Sequence, residues 1–170
     1  LFMVAKDRGT NGIVPDFSIF ENMSLPFLRH FSRFSVLSRA REAANARRQI
    51  DELGIVCRSE RDDLSTLSGG NQQKVMVGRW LAMPCRLLIL DEPFQGVDIA
   101  ARRDLGHKLR QSAKDRATIV FLTELDEAFE IADRILVMSE HTIVGEHVND
   151  NPDIDLLLTE IAGQHHAKAS

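Results

Sequence analysis

The segment RLLILDEP, residues 86–93, decides the fold class of this chain. Its apolar run has the length of one strand and lies between Pro84 and Pro93, which interrupt regular structure. A continuous apolar run of this length is typical of a strand buried on both faces of a parallel sheet. We therefore expect Asp91 and Glu92 at the carboxyl end of a buried strand, where open α/β sheets bind their ligands.

The segments after this strand alternate between helix and strand, which favours an α/β fold with a mainly parallel sheet. Asp98 can cap the first of the helices. The elements predicted after residue 84 are a strand at 86–90, a helix from Asp98 to about Gln111, a strand of the buried type at 118–122, a helix at 124–134, a strand at 135–138 and its hairpin partner at 142–147.

The segments before this strand predict a short strand, a loop and then a mostly helical region. Ser38 and Gly54 fit the two ends of a helix over 38–53. The elements predicted here are a strand at 1–4, a loop at 6–18, that helix and a helix at 69–83. The chain then divides into the start of the core at 1–19, a helical subdomain at 20–83, an α/β core at 84–150, and a C-terminal helix and tail at 151–170.

Composition and charge exclude several classes of protein. The 170 residues suffice for one domain with a subdomain, and the net charge of −4 gives no electrostatic reason to expect a nucleic-acid partner. Cys57 and Cys85 lie away from other cysteines and histidines at metal-binding spacing, so we expect free thiols in a reducing compartment. No apolar run approaches 18 residues. The scattered histidines, including His165 and His166, predict no metal site.

The segment LSGGNQQKV, Leu67–Val75, places flexible residues at the start of a helix. Ser68 can cap the helix, and Gly69 and Gly70 have no Cβ, so an anion could approach the backbone N–H groups of the first turn. Taken alone, the stretch favours an ordinary helix cap. The two acids after the strand are also open to two interpretations. They could solvate a turn, or Asp91 could orient a magnesium ion through water while a neighbouring acid polarises a water molecule.

The two segments together are more specific than either alone. LSGGNQQ, followed by LLILDEP 20 residues after Leu67, resembles the signature and Walker B motifs of the ATP-binding cassette (ABC) ATPases. GVD at 96–98 resembles the D-loop of that family, and EAFEIADRILVM at 127–138 resembles its closing helix and strand. DRGTNGIV at 7–14 and ENMSL at 21–25 are most similar to the second cassette of tandem ATPases that energise bacterial sugar importers. The resemblance extends from about residue 2 to residue 148.

The resemblance implies a partial P-loop NTPase core that binds ATP and Mg²⁺. It implies that Asp91 serves the magnesium ion through water, that Glu92 is the general base, and that Asp98 lies at the interface between two cassettes. Thr123 stands at the position of the switch histidine, where this subgroup often has serine. The residues implied to face the γ-phosphate of an ATP held by the opposite cassette are Ser68, Gly69, Gly70 and Gln72.

The resemblance also implies the partners and the location. They are a second cassette, membrane permease subunits near residues 8–53 and, indirectly, a sugar-binding protein. The expected location is the cytoplasmic face of the inner membrane, as a peripheral subunit. The implied function is an ATP-hydrolysing subunit of an importer, with a carbohydrate as the expected cargo.

This sequence departs from the family pattern in several places. It contains no G-x-x-x-x-G-K-[ST] loop, so we expect the chain as given to bind MgATP very weakly and not to hydrolyse it. Lys6 stands where the sugar-type cassettes have glutamate, before Asp7 and Arg8. Phe94 and Gln95 stand where a small hydroxyl residue and arginine are common.

The strand of the absent loop is expected between 118–122 and 135–138. Its absence would leave two unpaired strand edges, which the chain would close by collapse or by pairing with a second copy.

Two alternatives to a hydrolysing importer subunit remain open. One is a degenerate cassette with a structural or regulatory role, which Lys6 and the missing loop favour. The other is a soluble ABC ATPase of chromosome maintenance or translation, which the acidic balance and the lack of heptad repeats disfavour.

Overall fold

The computed structural model describes residues 1–4, 6, 12–113 and 115–163. The chain divides into two compact units, Leu1–Thr123 and Glu124–Ser170. Asp7 and Arg8, which belong to the predicted loop, lie outside the described residues, as does the tail from residue 164 onward.

The described helices and strands follow the predicted order closely. The helices are α1 (Ile19–Ser24), α2 (Leu28–Phe31), α3 (Arg39–Leu53), α4 (Gly69–Leu81), α5 (Ile99–Gln111), α6 (Leu125–Ile131) and α7 (Ile154–Ile161). The strands are β1 (Phe2–Val4), β2 (Ser32–Arg33), β3 (Val36–Leu37), β4 (Leu87–Asp91), β5 (Ala117–Phe121), β6 (Arg134–Ser139) and β7 (Thr142–Val148).

A three-stranded parallel sheet in the first unit has the order β1-β4-β5. The strand predicted from RLLIL is therefore the middle strand, with Leu90 opposite Val4 on one side and Val120 on the other. Leu88 and Leu90 of β4 are fully buried, whereas Leu87, Ile89 and Asp91 are half-buried. The expectation that β4 is buried on both faces is thus met completely on one face and partly on the other.

The expectation that the strand at 118–122 is of the buried type is wrong. Ile119 and Phe121 of β5 are 46% and 44% exposed, and exposed and half-buried residues alternate along the strand. Within the described residues β5 pairs only with β4, which leaves its other edge without a strand. Unpaired edges were expected here, and their closure by collapse or by a second copy stays a prediction.

The strand predicted at 135–138 lies outside the parallel sheet, contrary to the expectation drawn from the alternation. It is β6, which pairs antiparallel with β7 in a separate two-stranded sheet of the second unit. The turn between them explains the pairing. Glu140 and His141 both have positive φ angles, 47° and 66°, and two such residues form the tight hairpin turn that matches the twist of paired strands. The predicted hairpin partner at 142–147 is confirmed.

The predicted helix over 38–53 is found as α3, but only its C-terminus has the predicted capping geometry. Gly54 adopts the left-handed conformation, with φ 58°, and ends α3 as predicted. Ser38 occupies the N-cap position, yet its side chain makes no capping hydrogen bond. The backbone carbonyl of Ser38 instead accepts from the N–H groups of Arg41 and Glu42. The short β2–β3 hairpin, with positive φ at Phe34, was not predicted.

The helical region encloses its own apolar core. Trp80 lies within 6 Å of the rings of Phe2 and Phe27, which packs the start of β1 against the end of α4. The buried residues of the core are Ile19, Phe20, Met23, Ala46, Leu53, Ile55, Leu64 and Val75. α4, the helix that begins in the signature segment, is therefore held by packing along most of its length.

A buried polar hub at Asn22 connects α1, the preceding loop and α4. The Asn22 Nδ2 group donates to the carbonyls of Val14, Phe17 and Ser18 at 3.0–3.2 Å. Arg79 donates to the backbone carbonyl of Asn22 at 2.7 Å and to its Oδ1 at 3.1 Å. Burial lowers the pKa of Arg79 to about 10, so the side chain still carries its charge at pH 7.

Replacing Asn22 by alanine should destabilise the fold, because the N–H of Val14 would lose its acceptor, three carbonyls would each lose one donor, and the buried Arg79 guanidinium would keep only the backbone carbonyl of residue 22. We expect Asn22→Ala to lower the free energy of unfolding by about 3 kcal/mol, measured by urea denaturation. Gln111→Ala, which removes an exposed amide from α5, should change it by less than about 0.5 kcal/mol. Equal effects of the two substitutions would contradict the role of the hub.

Candidate functional site

Three neighbouring strands bring chemically active residues to one edge of the parallel sheet. Asp91 is the last residue of β4 and lies opposite Phe121 of β5. Glu92 follows Asp91, Thr123 follows β5 by two residues, and Lys6 follows β1 by two residues. Because parallel strands end on the same side of a sheet, these residues share its carboxyl edge. The sequence predicted this location for the acids.

Glu92 has an uncommon backbone conformation. Its φ is 46°, and its N–H donates to the carbonyl of Phe121 at 3.0 Å. The chain then turns tightly, as Gln95 donates to the carbonyl of Glu92 at 3.2 Å. Phe94 is only 2% exposed and anchors the turn in the core, so the large residue at this position has a packing role. A positive φ costs a residue with a side chain on the order of 1 kcal/mol, and such strain concentrates at functional sites.

The start of α4 is capped as predicted. The Ser68 Oγ accepts from the backbone N–H of Asn71 at 3.4 Å and from its Nδ2 at 2.9 Å. Asn71 Oδ1 in turn accepts from the N–H of Val56 at 2.9 Å. The sequence analysis missed this second role of Asn71, since nothing in the spacing links residue 71 to residue 56. The cap leaves Gly69 and Gly70 as the first two residues of the helix.

Gln72 has a structural contact within the chain. Its Nε2 donates to the carbonyl of Leu67 at 3.0 Å and to that of Leu64 at 3.3 Å. An amide nitrogen has two hydrogens, so this geometry uses both of them to hold the turn before α4. The expected contact between Gln72 and a phosphate stays a prediction, and it would require this side chain to exchange partners.

The first turns of α4 and α5 lie next to each other. Asp98 caps α5, with Oδ1 accepting from the N–H of Ala101 at 3.0 Å. A Cβ placed on Gly70 would lie 3.2 Å from the Ala101 Cβ and 3.9 Å from the Asp98 Oδ2. The signature segment therefore packs on the D-loop segment without room for a side chain. The resemblance implied a role for each segment, but this contact was not predicted.

The carboxyl edge and the signature segment are separate groups within the described part of the chain. No hydrogen bond between described residues joins Asp91 or Glu92 to Ser68 or Gly70. The implied division of labour, in which the acids and the signature segment serve two different nucleotides, stays a prediction.

Neither a metal cluster nor a membrane span occurs in the described ranges. They hold no group of three histidine, cysteine, aspartate or glutamate side chains suited to a metal ion. Magnesium bound with a nucleotide needs only one or two carboxylates beside phosphate and water oxygens, and Asp91 at the end of β4 fits that need. None of the helices in these ranges has the length and apolar character to cross a bilayer.

The chain belongs to the ABC transporter family, whose family model matches residues 3–95. The match includes β1, the helical region, the signature segment and the Walker B segment, and it ends just after Phe94. The resemblance drawn from the two motifs is thereby confirmed.

The curated relatives include sugar-import proteins of several bacteria. The arabinose import ATP-binding protein AraG of Rhizobium meliloti is 43% identical over 88% of this chain. The AraG protein of Pseudomonas savastanoi is 39% identical over 93% of it. The ribose import ATP-binding protein RbsA of Rhodopirellula baltica is 38% identical over 82% of it. The chain spans 28–32% of the length of these relatives.

Solved structures show the same fold. An ATP-binding cassette in a dimeric post-hydrolysis state with ADP and Pi matches 86% of this chain and 62% of its own, with a TM-score of 0.71 and 19% identity. A metal-chelate type ABC transporter in an inward-facing conformation matches 95% of this chain and 63% of its own, with a TM-score of 0.74 and 20% identity. The predicted fold class, a partial ABC ATPase core with a parallel sheet and helices, is confirmed.

The strained backbone at Glu92 gives a prediction about stability. Glu92→Gly and Glu92→Ala both remove the carboxylate, but only glycine adopts a positive φ without a Cβ clash. We expect the glycine variant to be more stable than the alanine variant by about 1 kcal/mol, measured by urea denaturation. The same pair of substitutions at Glu52, an exposed residue inside α3, should show the opposite order, because alanine is the better helix former. An alanine variant as stable as the glycine variant at residue 92 would contradict the strain.

Proposed function

We propose that this chain is part of the ATP-hydrolysing subunit of an ABC importer for a carbohydrate. The observation that carries the proposal is the carboxyl edge of the parallel sheet, where Asp91 ends the middle strand and Glu92 follows in a strained turn. The relatives named as arabinose and ribose import ATP-binding proteins support the choice of cargo class. Arabinose and ribose are both small sugars, so the proposal extends to that class and not to one sugar.

The proposed reaction is attack of water on the γ-phosphate of ATP. Glu92 accepts the proton of the attacking water, and its fixed backbone limits the directions in which the carboxylate can point. Asp91, one residue earlier and inside the sheet, would hold the magnesium ion. When bound, that ion neutralises charge on the phosphate oxygens. Thr123, at the end of the adjacent strand, donates a hydrogen bond towards the phosphate and adds no positive charge.

The proposed role of the signature segment is to bind a nucleotide held by a second cassette. The N-terminus of α4 favours an anion, and Ser68, Gly69 and Gly70 place no bulky group in front of it. Asp98 lies beside Gly70 and would meet the second cassette at the same surface. We propose that the partner cassette is supplied by a tandem or dimeric arrangement, and that nucleotide binding closes the pair.

The proposed partners beyond the cassette pair are permease subunits and, through them, a sugar-binding protein. Residues 8–53 would lie near the permease, and the chain would then be a peripheral subunit at the cytoplasmic face of the inner membrane. The division into a core start at 1–19, a helical subdomain at 20–83, a core at 84–150 and a C-terminal part at 151–170 belongs to the same proposal.

A degenerate cassette is the second candidate function, and Lys6 supports it. Lys6 follows β1, the neighbour of β4, so it places a positive charge at the edge that holds Asp91 and Glu92. An ammonium group there could compete with magnesium for the carboxylates. A cassette of this kind would bind partners without hydrolysing ATP.

Turnover of ATP separates the two candidates. In a protein extended to the length of its relatives, we expect Glu92→Gln to lower kcat at least about 100-fold with little change in KM, because the general base is lost while the size of the side chain is kept. The measurement is phosphate release under saturating ATP and magnesium. Glu60→Gln, in a loop of the helical region, is the control and should leave kcat unchanged. Equal turnover before and after Glu92→Gln would favour the degenerate cassette.

ATP binding by the 170-residue chain itself is a separate test. The chain contains no G-x-x-x-x-G-K-[ST] loop to hold the β- and γ-phosphates. We expect isothermal titration with ATP and magnesium to give no binding below about 1 mM, a range set by the loss of the main phosphate contacts. Micromolar binding would show that other residues suffice to hold the nucleotide.

A further inference from the structure

A buried lysine connects the signature helix to the helix that follows the D-loop. The Lys74 side chain on α4 is only 8% exposed, and its Nζ lies 2.5 Å from Asp104 Oδ2 on α5. The same ammonium donates to the carbonyl of Gly54 at the end of α3, at 3.1 Å. A buried ammonium is costly without partners, so these contacts fix where Lys74 can lie and hence how three helices meet.

The contacts between α4 and α5 show that the two helices run in the same direction. Gly70 faces Ala101 near the start of each helix. One turn later in each, Lys74 faces Asp104. Steps of four and three residues in the same sense can occur only between helices that begin at the same end. Their N-termini, and with them Ser68 and Asp98, are therefore presented side by side.

Lys108 extends the cluster towards α3. Its Nζ donates to the carbonyl of Glu52 at 3.2 Å and lies 3.7 Å from Asp104 Oδ1. The last carbonyls of a helix lack partners within it, and here two lysines supply them, Lys74 for Gly54 and Lys108 for Glu52. The Asp104 carboxylate lies between both ammonium groups. We call Lys74, Asp104 and Lys108 the clasp.

We propose that Lys74 and Asp104 are positioning residues that hold the signature segment and the D-loop segment as one rigid unit. This inference rests on the proposed function, in which both segments meet the partner cassette. With the clasp intact, a phosphate that draws in the start of α4 also moves Asp98, because the two helices cannot slide past each other. Without it, each first turn moves separately, and closure of the cassette pair no longer fixes the geometry of hydrolysis.

Lys74 and Asp104 differ in the cost of their removal. Asp104 is 43% exposed, so it can be solvated when Lys74 is replaced by methionine, which has a similar length and suits a buried position. Removal of the aspartate side chain would instead leave a buried ammonium with one carbonyl. Lys74→Met is therefore the cleaner test, and Asp104→Asn, which keeps an acceptor oxygen, is the milder one.

Hydrogen exchange on the 170-residue chain tests the clasp without any assay of ATP. We expect Lys74→Met to speed exchange about tenfold at the first turns of both α4 and α5, since local opening becomes easier there. Amides of the β6–β7 hairpin should be unchanged. Lys74→Arg keeps the charge and should keep the protection. Arg58→Met removes a cation whose side chain is 90% exposed and should change neither helix.

The outcomes of the exchange experiment are decisive. Unchanged exchange at the start of α5 in Lys74→Met, or faster exchange at α4 alone, would overturn the proposal. If Lys74→Met does not fold, Asp104→Asn decides, with a smaller acceleration expected at both first turns. No acceleration at either turn in that variant would also overturn it.

ATP turnover, measured in the protein extended to the length of its relatives, tests the effect of the clasp on function. We expect Lys74→Met to lower kcat about tenfold while the KM for ATP changes less than about twofold, because the nucleotide cradle is untouched and only the geometry of the closed pair is lost. Lys74→Arg should restore kcat. An extended protein that hydrolyses no ATP would overturn the proposed function but leave the exchange result standing. A normal kcat in Lys74→Met would overturn the positioning role of the clasp and leave the proposed function standing.

Discussion

The parallel pairing of β4 with β1 on one side and β5 on the other is the constraint on which the rest of the chain depends. It places the ends of three strands along one edge, so Lys6, Asp91 and Thr123, which are far apart in sequence, all lie at or just after the carboxyl ends of paired strands. The pairing also explains the strained turn. The N–H of Glu92 continues the ladder by donating to Phe121, and the chain must then leave the sheet at once because Pro93 cannot donate to it.

The sequence predicted the elements that local chemistry decides. Asp98 and Ser68 cap helices because a short oxygen-bearing side chain satisfies the N–H groups of a first turn, and Gly54 ends a helix because it tolerates a positive φ. The acids of the Walker B segment fall at a strand end because the apolar run before them has the length of one strand and is bounded by two prolines. In each case the neighbours within a few residues carry the information, and the structure repeats it.

The failures of prediction have a common cause, which is competition between alternative partners for the same strand or side chain. Alternating helices and strands predicted a parallel neighbour for β6, yet a two-residue turn at Glu140 brought β7 closer. The apolar composition of β5 predicted burial, yet burial depends on which strand lies beside it. The clasp was invisible for the same reason. Lys74 and Asp104 are 30 residues apart, and only the fold shows that one ammonium satisfies both a carboxylate and the end of α3.

Two kinds of rigidity thus support the proposed chemistry. At the carboxyl edge, the backbone of Glu92 is held by the sheet on one side and by buried Phe94 on the other, which fixes the carboxylate proposed as the general base on a short turn. At the signature surface, rigidity comes from side chains, since α4 and α5 are joined by ions and not by a shared sheet. A buried ion pair has a directional geometry but a modest net stability. It can therefore set the relative position of two helices without making the whole fold depend on it, and this suits the surface that is proposed to bind and release a second cassette.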